Sequence, residues 1–331
     1  MNKKRWLALG IAVFLLVASL GFRFMSSVFS TDLESLFAMS DQQYQQEVIQ
    51  EGTGNKIAVV ELDGMIQDVS TSSLLNSGGY NHDRFLKKLE HVGEDRSVSG
   101  IILRVNTPGG GVVESDEIHD KIVEIQEEHN KPVYVSMGNT AASGGYYVAA
   151  PADKIVAHQA TLTGSIGVIM QSYNVTELAD QLGVDVNTIK SGEFKDIMSA
   201  TREMTDEERD ILQTMIDGMY DDFVQVIVEG RDMSESTVRE LGDGRVYTGQ
   251  QAADNGLVDG LGDLEDTAAM MQEDLDWSNA RVVKYNNGYG WNTYINGKVQ
   301  TMFQGEDAKL TAIQELIQQS DGPRAMYLYS K

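Results

Sequence analysis

The sequence predicts an α/β fold in which a largely parallel sheet is wrapped by helices, preceded by one N-terminal transmembrane helix. Three observations carry this. Apolar runs of strand length alternate with segments whose apolar residues recur every three to four positions. Two of those runs end in turns of very small residues, Asn106-Thr107-Pro108-Gly109-Gly110-Gly111 and Asn139-Thr140-Ala141-Ala142-Ser143-Gly144-Gly145. The chain also opens with Lys3, Lys4 and Arg5, followed by 17 uncharged residues from Trp6 to Phe22.

The N-terminal run is long enough to cross a bilayer, which takes roughly 17 to 25 residues. Phe24, Met25, Val28 and Phe29 extend its apolar character past Arg23, and Ser19 and Gly21 make only a mediocre cleavage site. We therefore expect an uncleaved anchor over 6–29 with a cytosolic segment over 1–5, because the cations precede the span. The rest of the chain would lie on the extracytoplasmic side of the cell membrane. Residues 30–55 are polar and read as a stalk.

The folded domain is expected over 56–304. Ile57 to Leu62 forms a strand-length run closed by Asp63-Gly64, and Phe85, Leu89 and Val92 then recur at helical spacing. Val98 to Val105 reads as a buried strand, and Ile118, Ile122 and Ile125 mark the helix beyond its glycine turn. Val133 to Met137 is the next strand, followed by the serine turn and a helix; Lys154 to Ala157 is another. Val184 to Ile189 reads as a strand leading into Lys190-Ser191-Gly192-Glu193-Phe194-Lys195. Thr205 and Glu208 form a capping box for a long helix whose stripe, including Met219 and Phe223, reads as core or subunit contact. Residues 305–331 hold one amphipathic helix and the apolar end Ala325 to Tyr329, which could lie extended in a substrate groove of its own or a neighbouring subunit.

Composition narrows the chemistry. Fifty acidic against 26 basic side chains leave a net charge of −24, which disfavours a nucleic-acid partner. The absence of cysteine excludes disulfides, a thiol nucleophile and thiolate metal sites. The five histidines lack metal-ligand spacing, so no metal is expected, and no cofactor is called for.

In α/β sheets active groups gather at the carboxyl ends of strands, where both glycine-rich turns lie. Ser143 would stand at a helix N-terminus among free N–H groups, a setting that suits a nucleophile and also a plain glycine turn. A hydroxyl needs a base. His119 and His158 remain open as candidates, and so does Lys195, flanked by Phe194, Ile197 and Met198. A lysine amine titrates at about 10.4 in water, so it serves as a base only where burial disfavours its charge. Gly144 and the Gly109-Gly110-Gly111 turn could supply N–H donors to an oxyanion; the glycine run could equally cradle a phosphate, but it lacks the lysine and hydroxyl of a P-loop.

Pro108-Gly109-Gly110-Gly111, Ala142-Ser143-Gly144-Gly145-Tyr146, Thr163-Gly164-Ser165-Ile166-Gly167 and Ser191-Gly192-Glu193-Phe194-Lys195 together resemble the signal peptide peptidase A family, in its short single-domain bacterial form. Tyr247-Thr248-Gly249, Ala252 and Asn255-Gly256-Leu257-Val258-Asp259 match it too, and the likeness spans roughly 56–275. The resemblance implies a membrane-anchored serine endopeptidase of the Clp-protease and crotonase fold. It implies Ser143 as nucleophile, Lys195 as general base, Gly110 and Gly144 as oxyanion hole, and Ser165 as the group that orients the lysine. It further implies ring- or dome-shaped homo-oligomers, with sites built partly from adjacent subunits, acting on cleaved signal peptides and other apolar peptides. The competing readings are a crotonase-like acyl-CoA enzyme and a non-enzymatic membrane scaffold.

Overall fold

In the computed structural model of the chain, which describes residues 44–68, 80–287 and 325–329, the apolar runs become a sheet buried on both faces. The elements in order are β1 (Tyr44–Gln50), β2 (Lys56–Asp63), α1 (His82–Glu94), β3 (Gly100–Thr107), β4 (Gly109–Gly111), α2 (Val112–His129), β5 (Val133–Ala142), α3 (Gly144–Ala149), β6 (Lys154–Ala157) and β7 (Leu162–Gly164). They continue as α4 (Thr176–Gln181), α5 (Asp206–Arg231), α6 (Glu235–Leu241), β8 (Val246–Thr248), α7 (Gly249–Asp254), β9 (Gly260–Leu261), α8 (Leu264–Asp274), β10 (Arg281–Asn287) and β11 (Met326–Leu328). Residues 46–286 and 295–331 make one compact unit. The other, 1–45 with 287–294, falls almost wholly outside the described residues, as do the expected cytosolic segment, the anchor over 6–29 and the helix expected in 305–324. Among the described residues no helix is long and apolar enough to cross a membrane.

The main sheet runs β1-β10-β2-β3-β5-β6-β9, with β7 on the far end of β5 and β8 beside β7. The pairs from β10 through β2, β3, β5 and β6 to β9 are parallel, as is β5 with β7. β7 with β8 runs antiparallel. Alternating side chains of β2 and β3 meet helices on both sides, which is why these strands read as unbroken apolar runs. Ile57, Val59 and Ile102 pack with Tyr134, Ala268 and Met271 on the α8 side. Phe85 and Leu89 of α1 and Ile118, Ile122 and Ile125 of α2 are likewise buried. Each such side chain contributes about 1.5–3 kcal/mol of burial.

Two sequence expectations change. Val184 to Ile189 forms no strand: it finds no pairing partner, and Val184, Val186 and Ile189 lie 51%, 50% and 101% exposed. β-branched residues favour extended backbone, but only a neighbouring strand makes it a ladder. The stalk over 30–55, conversely, carries β1. Its glutamines reach across to the adjoining β10 strand and its approach, Gln46 Nε2 donating to Tyr285 Oη at 3.1 Å and Gln50 Nε2 to the Ala280 carbonyl at 3.0 Å. An edge strand exposed on one side has no need of apolar alternation.

Candidate active site

β5 and β3 run in parallel register and deliver their carboxyl ends side by side, Thr107 opposite Ala141. Beyond Thr107 the chain turns at Gly109, whose φ of +96° an L side chain rarely adopts. The Gly109 N–H donates to Thr107 Oγ1 at 3.0 Å, and Ser115 Oγ of α2 donates to the Gly111 carbonyl at 2.8 Å, so buried hydroxyls hold both ends of the glycine strand.

Ser143 closes β5 and opens α3 with φ +55° and ψ −117°. A non-glycine residue in that region costs of order 1–3 kcal/mol and persists only where its surroundings fix it. They do: its N–H donates to the Gly164 carbonyl at 2.7 Å, and its own carbonyl receives the Tyr146 and Tyr147 N–H groups at 2.9 Å each. The residue is 1% exposed, and its Oγ makes no hydrogen bond among the described residues. A strained turn thus aims an unengaged hydroxyl from the mouth of a helix, the geometry of a nucleophile elbow.

Gly110 and Gly144 come together. A Cβ built on Gly144 would lie 3.2 Å from the Gly110 nitrogen and 2.6 Å from Ser115 Oγ. One built on Gly109 would lie 2.6 Å from the Gly144 nitrogen and 2.1 Å from the Tyr327 carbonyl oxygen. The N–H of the residue after the serine and a carbonyl of the C-terminal tail therefore converge on one spot. Donors fixed in this way can stabilise an oxyanion.

The tail reaches that spot as a strand. β11 lies antiparallel on β4, Tyr327 opposite Gly110, and the Tyr329 N–H donates to the Pro108 carbonyl at 2.9 Å. On its other edge Met326 and Ile169 exchange both backbone bonds at 3.0 Å. An extended peptide gripped on both edges is β-strand addition. Tyr327, 1% exposed, stacks on Tyr147 with centroids 4.9 Å apart and meets Phe223 at 4.7 Å, and its hydroxyl donates to the Met219 carbonyl at 2.9 Å. Tyr147 in turn donates to Asp116 at 2.7 Å; burial, first, and that carboxylate push its phenol well above the ordinary range. Beside this slot a cavity of about 530 Å³ is lined by Ser165, Ile166, Val168, Ile216 and Tyr220, with Leu328 and Tyr329 at its edge.

Ser165, with φ +51° and 8% exposed, follows directly on the Gly164 carbonyl that holds Ser143, and its own N–H donates to the Arg245 carbonyl at 2.8 Å. Lys195 sits in the turns over 191–199 and is exposed. Among the described residues no hydrogen bond joins its amine to Ser143 or Ser165. His119 lies 3.1 Å from Asp120 with its ring against Tyr147, and His158 Nδ1 accepts from the Ala160 N–H at 3.1 Å. Neither bonds to Ser143. Asp116, His119 and Asp120 bring potential ligand atoms within 4.8 Å of one another on α2, with Asp116 already engaged by Tyr147.

Sequence reasoning gave no role to Thr107, Ser115, Tyr147 or Ile169, and read Phe223 as core or subunit contact. Their roles come from neighbours more than 30 residues away in most cases; the one local signal was the aromatic pair directly after the serine turn.

Comparison with known proteins fits this site. Residues 125–278, which hold Ser143 and Lys195, match the model of peptidase family S49. A protein of Enterococcus faecium bearing the name signal peptide peptidase SppA is 38% identical over 99% of both chains. A Synechocystis protein named as a protease is 41% identical over 65% of this chain and 72% of its own length, and Protease 4 of Haemophilus influenzae is 38% identical over 64% of this chain and 34% of its own. With an unengaged serine at a strained turn and a full-length relative at that identity, the chain belongs to the signal peptide peptidase A family of S49 serine proteases.

Proposed function

We propose that the chain is a membrane-anchored endopeptidase that cuts cleaved signal peptides and other apolar peptides with a Ser143–Lys195 dyad. The observation that carries it is the pairing of the Ser143 turn with a groove that takes an extended chain: the apolar tail lies along β4 with its Tyr327 carbonyl beside the Gly144 N–H. A substrate bound as the tail is bound presents a peptide carbonyl to the serine. Lys195 removes the Ser143 proton as Oγ attacks the carbonyl carbon, and the Gly110 and Gly144 N–H groups receive the oxyanion. The lysine returns that proton to the leaving amine, and a water then hydrolyses the acyl-enzyme by the same route. Ser165 orients the amine. The sheet-and-helix order is compatible with the Clp-protease and crotonase fold.

The working unit is a homo-oligomer, a ring or dome, in which a second copy completes the site. Two features support this. Ser143 is buried while Lys195 of the same chain is exposed. The stretch leading to Lys195 also displays large apolar side chains, Tyr173 at 84%, Leu182 at 70% and Ile189 at 101% exposure, which a neighbouring copy would cover. The anchor over 6–29 fixes the enzyme to the membrane where its substrates are released.

The experiment is cleavage of an apolar peptide by the full chain, with fluorophosphonate labelling in parallel. Ser143→Ala is expected to lose both, Lys195→Ala to lose turnover by at least ~100-fold, and replacement of all five histidines to leave turnover largely intact. Full turnover in Lys195→Ala would remove the dyad.

A further inference from the structure

The segment between α4 and α5 carries Lys195 without any helix or strand over residues 182–204. A catalytic amine held there needs another source of rigidity, and one ion cluster supplies it. Arg202 Nε donates to Asp196 Oδ2 at 2.9 Å, and its Nη2 donates to Asp196 Oδ1 at 2.7 Å and to the Asp196 carbonyl at 3.0 Å. The other edge of the guanidinium grips Glu208: Nη1 donates to Oε2 at 2.8 Å and Nη2 to Oε1, while Nη1 also reaches the Glu203 carbonyl at 3.0 Å. Glu208 is 2% exposed in the first turn of α5, and its Oε2 completes the capping box by accepting the Thr205 N–H at 3.0 Å. Lys190 Nζ also donates to Asp196 Oδ1 and to the Glu193 carbonyl, both at 2.7 Å.

Resting on the dyad reading above, we propose that Arg202 is a positioning residue for the general base: it ties the backbone next to Lys195 to the rigid start of α5 and, with Lys190, occupies the neighbouring carboxylate. The first effect is geometric. Three of the guanidinium bonds end on Asp196, one residue from Lys195, so the base is placed from a capped helix terminus, through the buried Glu208, rather than from a free loop. The second is electrostatic. Both oxygens of Asp196 are taken, Oδ1 by Arg202 and Lys190 and Oδ2 by Arg202. A free carboxylate beside a lysine favours the charged amine, which cannot accept the serine proton. Of the two lysines in the turn, Lys190 is consumed in the cluster and the Lys195 amine is left outside it. The charged groups around the cluster are Lys190, Asp196, Arg202, Glu203 and Glu208, with Glu203 Oε1 held by Asn174 at 3.1 Å.

The test is the pH profile of peptide cleavage by the full-chain enzyme, for wild type, Arg202→Met, the double variant Arg202→Met with Asp196→Asn, and Lys195→Ala. Arg202→Met is expected to lower kcat by ~10- to 100-fold with KM little changed, and to move the rising limb of kcat/KM toward higher pH. Adding Asp196→Asn is expected to bring the limb back while kcat stays low. A variant that merely loosened the fold would move neither limb in this order. Should Arg202→Met not assemble, Lys190→Met, which removes one exposed donor from Asp196, is expected to give a smaller alkaline shift. An unmoved limb in whichever of these variants assembles, alongside an inactive Lys195→Ala, overturns the positioning role alone. An active Lys195→Ala overturns the dyad beneath it.

Discussion

Gly109 shows how a single missing methyl group can decide whether a site exists. Its φ of +96° is one that side chains avoid, and a Cβ there would stand 2.1 Å from the Tyr327 carbonyl oxygen and 2.6 Å from the Gly144 nitrogen. Both neighbours are backbone, so neither can swing away. Gly109→Ala is therefore expected to lower the melting temperature, because this buried turn has no room for the methyl group, and, where it folds, to lose ~100-fold or more in kcat/KM, the scale of removing one oxyanion donor. Kinetics on an apolar peptide, run well below the melting temperature measured for the variant, checks this; near-normal turnover would mean that carbonyls bind elsewhere. The strand-end turns around Gly109 and Ser143 were legible in the sequence as runs of small residues between a strand and a helix, a pattern that on its own suits a plain glycine turn as well as a nucleophile. The surroundings of Lys195 were not. Phe194, Ile197 and Met198 suggest a dry pocket, yet in the folded chain the lysine is exposed, because whether flanking apolar residues enclose a side chain depends on what packs over them.

Among the elements, α5 bears most directly on the site. Its N-terminus joins a capping box to the Arg202 cluster, and hydrogen bonds from Arg202, then from the Thr205 N–H, hold the Glu208 carboxyl down at about 2 against an ordinary value of 4.5. Asp196 is held well below its usual range by Arg202 and Lys190. A carboxylate whose folded value is depressed stabilises the fold above its unfolded value, and that contribution is lost as pH falls through the folded one. The 190–208 region is thus expected to open between about pH 4.5 and 2. Limited pepsin digestion across this window should cut near Phe194 and Met198 progressively in wild type, and at every pH in Glu208→Gln. Matching profiles for the two proteins would show that the cluster does not hold the segment. The capping box was readable from Thr205 and Glu208 alone, since its bonds are local. The strands were readable where both faces are buried, as at β2, β3 and β5, and misread at their margins. Val184 to Ile189 has strand composition without a partner, and β1 has a partner without strand composition; the apolar tail does lie extended, as β11, on a glycine strand more than 200 residues earlier.

For the whole molecule the question is which copy of the chain supplies the base. Within one chain Ser143 is buried, while Lys195 stands exposed in a segment with outward apolar side chains. If a neighbour's Lys195 serves each serine, the two catalytic defects must complement one another, because a contact of this kind in a closed ring is heterologous: one face of each copy meets a different face of the next. Full-length Ser143→Ala and Lys195→Ala, each inactive, are mixed in equal amounts, dissociated and reassembled. Random mixing then gives about one quarter of the sites both groups. Activity near that fraction, linear in the product of the two subunit fractions, establishes delivery between copies. If the dyad closes within one chain, every site in the mixture lacks one member, and no activity returns at any ratio. The net charge of −24 sets the conditions. Copies of like charge repel, and salt screens them over a Debye length of about 8 Å at physiological ionic strength. Reassembly should therefore be run at several salt concentrations, so that a failure to associate, read by sedimentation, is not taken for a failure to complement.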